Sequence, residues 1–144
     1  MRSWLLLAYK IPRDPTAARV SIWRKLKRLG ALRLHDAVWI LPEAAQTREQ
    51  LQWLATEIQE LGGEVSVWES RSITAGQEQA LIEQFRSQAE TAYREILDEL
   101  KRKRAGLAAL SRRYQQIQTR DYFHCDLSKR VREALIAAGG KRKS

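Results

Sequence analysis

Between residues 3 and 69 the apolar pattern alternates between strand-like and helical periods, and each change falls at a proline, a glycine or a capping residue. That alternation restricts the fold more than any other feature. Residues 3–11 (SWLLLAYKI) read as a strand, dense enough in apolar side chains to be central. Pro12 and Pro15 break it. A helix is expected from about residue 15 to 29, with Asp14 as N-cap and Pro15 at the first helical position. Gly30 supplies a left-handed stop. Val20, Trp23, Leu26 and Leu29, with a second row of Ala18, Ile22 and Leu26 beside them, are expected to form one apolar stripe.

Two short strands follow. In residues 31–37, Leu32 and Leu34 share a face opposite Arg33; in residues 38–41, Val38 and Ile40 oppose Trp39 and Leu41. The polar pair His35–Asp36 marks a turn or bulge between them. Thr47 and Gln50 read as a capping box that opens a helix carrying Leu51, Leu54, Ile58 and Leu61, ended by Gly62–Gly63. Residues 64–69 (EVSVWE) then alternate as a fourth strand. The order β-α-β-β-α-β in about 70 residues is the split βαβ arrangement of ferredoxin-like proteins. Right-handed crossovers place both helices on one face of an antiparallel sheet.

The rest reads as helical. Thr74 and Gln77 suggest a second capping box. A long helix is expected to about Arg104, with Leu81, Phe85, Ala89, Ala92, Ile96 and Leu100 on one stripe. Glu90–Arg94, Asp98–Arg102 and Glu99–Lys103 stand at the spacing of helical ion pairs. Gly106 breaks the run. Leu107, Leu110, Tyr114 and Ile117 mark an antiparallel partner. Asp126 is placed to cap a last helix through Leu127, Val131 and Leu135, stopped by Gly139, with a frayed tail at residues 141–144. The expected architecture is α+β: a ferredoxin-like βαββαβ antiparallel sheet over residues 1–72, and a C-terminal helical extension over residues 73–144 packed as part of the same domain.

Charge narrows the function. The chain of 144 residues carries a net charge of +9, which favours an anionic partner. From Lys10 to Arg33 the basic residues are Lys10, Arg13, Arg19, Arg24, Lys25, Lys27, Arg28 and Arg33, against the single acid Asp14. This reads either as a solvated helix face or as a surface that tracks phosphates. A single cysteine, Cys125, precludes an internal disulfide and fits a reducing cytoplasm. The apolar run at residues 4–9 is too short to span a membrane.

Catalytic signatures are sparse. The sequence holds no phosphate-binding glycine loop, no zinc-protease motif and no cysteine pair. His124 and Cys125, flanked by Asp121 and Asp126, combine metal-ligand types, but a fuller ligand set would have to recruit the remote His35. The simpler reading has Tyr122 and Phe123 packing the last helix. His35 and Asp36 are strand neighbours and face opposite ways unless the turn rotates them. Trp23, Trp39 and Trp53 fall in apolar patterns, so core packing is expected before base stacking. No enzyme, cofactor or metal site is expected.

The segments WLLLxYKxPRxP, RVxxWRxLKRLGA, VWxLP and LQWLAxEIxELGGE, with RDYF at residues 120–123, resemble the N-terminal domain of the chromate-resistance regulator ChrB family. The split βαβ domain of the PaaX repressor family is more loosely similar. The resemblance implies a bacterial cytoplasmic regulator of a chromate-efflux operon that acts on promoter DNA, with homodimers common in this domain type. Nucleases of the CRISPR-adaptation type share the element order and place a metal-binding Asp near the end of the first strand, where this chain has Lys10. ChrB-type regulators carry a further C-terminal domain, whereas this sequence ends at Ser144, so the expectation is either a stand-alone relative or a partner that supplies the rest. The candidate DNA contacts are Arg13, Arg19, Arg24, Lys25, Lys27, Arg28 and Arg33. Chromate or another oxyanion is the alternative ligand of the same cations.

Overall fold

A computed structural model describes residues 2–103 and 105–143. The elements are β1 (Ser3–Lys10), α1 (Thr16–Arg28), β2 (Leu32–His35), β3 (Val38–Pro42), α2 (Ala45–Glu60), β4 (Glu64–Arg71), α3 (Ala75–Arg102), α4 (Leu107–Thr119) and α5 (Leu127–Lys143). The class is α+β, and the strand–helix order follows the ferredoxin-like outline. Two compact units are distinguished, Met1–Ala80 and Leu81–Ser144.

In the first unit the four strands form an antiparallel sheet in the order β2-β3-β1-β4. The apolar β1 is central, as its composition requires: a strand covered on both faces needs apolar residues at successive positions. Leu5 and Leu7 pair across to Leu41 and Trp39 of β3, and all four are buried. Glu69 of β4 pairs with Leu5 and forms an ion pair with Arg48 of α2 at 3.1 Å, so α2 lies over this face. Lys25 of α1 is bonded to Glu57 of α2, which sets the two helices side by side. Ile22 and Leu26 of α1 and Leu51, Leu54 and Ile58 of α2 fill the space beneath. Trp4, on the opposite sheet face, is also buried, and its indole N–H donates to Glu78 at 3.1 Å.

Both crossover helices end on glycine for the same geometric reason. Gly30 (φ 79°) and Gly62 (φ 84°) take the left-handed conformation that costs other residues most. The flanking N–H groups close the last turn: Gly30 and Ala31 donate to Lys27 and Leu26, and Gly62 and Gly63 to Gln59 and Ile58, at 2.9–3.1 Å. Gly63 has a second role. A Cβ there would lie 2.7 Å from the Lys10 carbonyl oxygen and 2.8 Å from Ile58 Cγ2.

The helix starts differ from expectation. Pro15, not Asp14, is the N-cap of α1, with extended backbone and no side-chain cap bond. Helical geometry thus begins one residue later than the Asp-Pro pair suggests. Thr47 is inside α2 rather than at its cap: its Oγ1 accepts from the Ala44 N–H at 3.0 Å and donates to the Pro42 carbonyl at 2.7 Å. Thr74 does cap α3, accepting from the Gln77 N–H at 3.3 Å. Between β2 and β3 the register shifts at Arg33–His35, the irregularity expected of His35–Asp36.

The second unit is helical. Ala89, Tyr93, Ile96, Leu110, Tyr114, Ile117, Val131 and Leu135 form its core. Tyr93 occupies a core position that the aliphatic stripe of α3 did not include. Its hydroxyl donates to Asp121 at 2.9 Å, and both Asp121 oxygens accept from the Cys125 N–H at 3.0 Å. Buried Asp121 thereby pins a loop in which His124 has φ 52°. Tyr122 and Phe123 pack on Phe85, with centroids 6.1 and 5.9 Å apart. Glu90 pairs with Arg94 as expected. Glu99 instead bonds Arg113 of α4, while Lys103 has left helical geometry at φ 52°. Gly139 does not stop α5, which continues to Lys143. An exposed glycine lowers helix stability by only about 1 kcal/mol, too little to end a helix anchored by Val131 and Leu135. Arg104 and Ser144, where a helix end and a frayed terminus were expected, lie outside the described residues.

Three outcomes follow from these contacts. Gly63→Ala will lower stability by about 1–3 kcal/mol in urea denaturation, whereas Gly76→Ala, with nothing within 4 Å of its Cβ, will not. Asp121→Ala will cost about 2–3 kcal/mol by orphaning the Tyr93 hydroxyl and the Cys125 N–H; Asp121→Asn will cost less. Burial raises the phenol pKa of Tyr93, and raises that of Tyr122 from 10.0 to about 12. Their contribution is complete below pH about 10 and is lost as pH rises through the folded values. The thermal midpoint should therefore fall above pH about 10, and fall less steeply in Tyr93→Phe.

Candidate nucleic-acid interface

The α1 sequence contains two apolar rows but only one faces the sheet. Ala18, Ile22 and Leu26 are buried. The competing row turns outward: Val20 is 38% exposed and Trp23 43%. With the row of Ala18, Ile22 and Leu26 fixed inward, the intervening cations are forced outward.

Six of the seven candidate residues, Arg13, Arg19, Arg24, Lys27, Arg28 and Arg33, are exposed, and Lys25 is half-buried. They do not form one cluster. Arg24, Lys25 and Arg28 line a shallow depression of about 460 Å³ along α1, with Thr16, Val20 and Ser21. Lys25 and Arg28 also line a neighbouring groove of about 260 Å³ between α1 and α2. Lys27 Nζ lies 5.7 Å from the Trp23 ring centroid. Arg33 projects from edge strand β2 and lies 6.0 Å from the centre of buried Trp39. Arg13 sits in the loop before α1, and neither Arg13 nor Arg19 lines either depression.

Lys25 of these seven forms an ion pair with Glu57. That contact offsets one positive charge and joins the helices. Arg24 and Arg28, one turn apart, are both exposed beside it. An exposed guanidinium offers several N–H donors in a planar fork that matches a phosphate.

The tryptophan expectation divides. Trp39 is buried, but Trp53 is 70% exposed on the α2 wall of the groove. Its position in the helical period, out of phase with Leu51, Leu54 and Ile58, was the available signal.

His35 and Asp36 are both exposed at the β2–β3 irregularity. His124, Cys125 and Asp126 border a cleft of about 410 Å³ with Glu83, Arg86 and Glu90. Burial pushes the Cys125 thiol up, away from the thiolate that redox chemistry or metal binding uses. Among the described residues no group of three or more His, Cys, Asp or Glu side chains is arranged to hold a metal ion. Among them, too, no helix is long and apolar enough to cross a membrane.

Comparison with known proteins bears on this surface. Residues 19–109 match the family described as Protein ChrB, N-terminal. Protein ChrB of Cupriavidus metallidurans is 40% identical over 63 residues, 44% of this chain and 19% of that protein. The match thus spans about a fifth of that relative's length. No solved structure matches the chain. The family match begins at Arg19 and takes in Arg24, Lys25, Lys27, Arg28, Arg33 and Trp53, so the cationic helix and the α1–α2 groove both fall within it: the chain belongs to the ChrB N-terminal family.

Proposed function

We propose that this chain is a chromate-resistance-associated regulator domain with a ferredoxin-like fold that holds DNA by its phosphates along α1. One observation carries the reading: Arg24 and Arg28 stand exposed one turn apart beside Lys25, on a helix whose inward row is wholly apolar. The family membership supports the chromate association, and the +9 charge supports a polyanionic partner. Arg13, Arg19, Lys27 and Arg33 extend the positive field around this centre. Such contacts position a protein on DNA without reading bases.

The domain acts by binding rather than by catalysis, in the cytoplasm and as a homodimer. The exposed Val67 and Trp68 on edge strand β4 support pairing of two copies. A free oxyanion such as chromate would be drawn to the same cations. A DNA strand engages several of them at once and gains from counterion release, which favours the polymer.

The combined variant Arg24→Glu, Lys27→Glu and Arg28→Glu tests the reading by gel shift on the upstream DNA of the chain's own gene. Affinity should drop by roughly 100-fold or more near 0.1 M salt, and the log–log salt slope should shrink by about 2–3. Unchanged affinity and slope, with the fold intact by circular dichroism, would overturn it.

A further inference from the structure

The groove between α1 and α2 has features that backbone-phosphate binding leaves unused. Its α2 wall carries Trp53, whose indole is 70% exposed. Gln50 lines the same groove, and its Oε1 is buried without a hydrogen-bond partner. An acceptor stripped of water and left unpaired is unfavourable, and an incoming N–H would relieve it. Arg28 lines the groove from α1. Lys25 is tied to Glu57 at its margin. Trp53, Gln50 and Arg28 therefore line one small space.

The chemistry of those three groups identifies the occupant. The volume of about 260 Å³ lies below the range typical of drug-sized ligands, and suits a single flat ring system. An apolar peptide side chain would stack on Trp53 but satisfy neither Gln50 nor Arg28. A nucleotide addresses all three. Its base offers a face for stacking and a ring or exocyclic N–H for the amide oxygen, and its phosphate offers oxygens for the guanidinium.

We propose that the α1–α2 groove takes one unstacked base of a nucleic-acid strand, with the ring on Trp53, an N–H on Gln50 Oε1 and the neighbouring phosphate on Arg28. This rests on α1 being a nucleic-acid surface and specifies what that surface recognises. A base paired within a duplex is buried in its stack, so the groove selects single-stranded, mismatched or locally opened sites.

The test compares oligothymidylate of about ten nucleotides with an abasic strand of the same phosphate number, by fluorescence anisotropy at low salt. Wild type should bind the thymidylate about 10-fold more tightly, the scale of one base–aromatic stack. Trp53→Ala should erase that preference and leave abasic affinity unchanged; Trp53→Phe should retain most of it. Trp53 is exposed, so its truncation should leave the thermal midpoint nearly unchanged. Equal binding of the two strands by wild type, or a preference that survives Trp53→Ala, would overturn the proposal. The Arg24, Lys27 and Arg28 charge reversal separates the two readings. If it weakens both strands while Trp53→Ala changes nothing, phosphate binding stands and the base site falls. If the reversal leaves abasic binding unchanged, the nucleic-acid reading itself falls.

Discussion

Burial of one sheet face beneath two parallel-running crossover helices is the constraint on which the first unit depends. Leu5 and Leu7 of the central strand, with Trp39 and Leu41 of its neighbour, are each at most 2% exposed there. A buried side chain of this size contributes about 1.5–3 kcal/mol, so these four outweigh any surface ion pair, typically 0–1 kcal/mol. The apolar face therefore sets helix rotation, and the cations take the positions that remain. The positive surface of α1 is a by-product of burying Ala18, Ile22 and Leu26, which is why its charges lie around the helix and not in one cluster.

The second unit solves a different problem. Its helices bury a mixed core in which two tyrosines need partners for their hydroxyls. Asp121 answers for Tyr93, and Tyr114 meets Ser128 at 3.2 Å and Gln118 at 2.9 Å. Placing a carboxylate in a core is unfavourable unless its lone pairs are used. Asp121 uses both oxygens on the Cys125 N–H and one on Tyr93 as well. The His124–Cys125 pair thus occupies a loop held by Asp121, where burial pushes the thiol pKa up.

On the proposed reading, the two helices over the sheet divide their work. α1 supplies charge, which acts at long range and attracts any phosphate chain. α2 supplies Trp53 and Gln50, which act only on contact. The Lys25–Glu57 pair joins the two surfaces while withdrawing one cation from the field. The breadth of charge on α1 and the groove lined by Trp53 are therefore consequences of one packing arrangement.

Element order, the centrality of β1, the glycine stops of α1 and α2 and the class of fold were written in the sequence, because period and turn chemistry are local properties. So was the basic character of α1. Local rules also held at Thr74 and at the His35–Asp36 irregularity. They failed where two patterns competed: α1 has two apolar rows, and only contact with the sheet selects the one containing Ala18. Trp53 was assigned inward by residue type, although its helical phase already placed it outward. The Tyr93–Asp121 bond joins residues 28 apart in sequence, and Glu99 took Arg113 over its helical neighbour; no local pattern foretells either. The sequence alone decided which segments are helix and strand and what charge they carry. Only the tertiary structure decided which faces meet water, because burial is settled between segments that are distant along the chain.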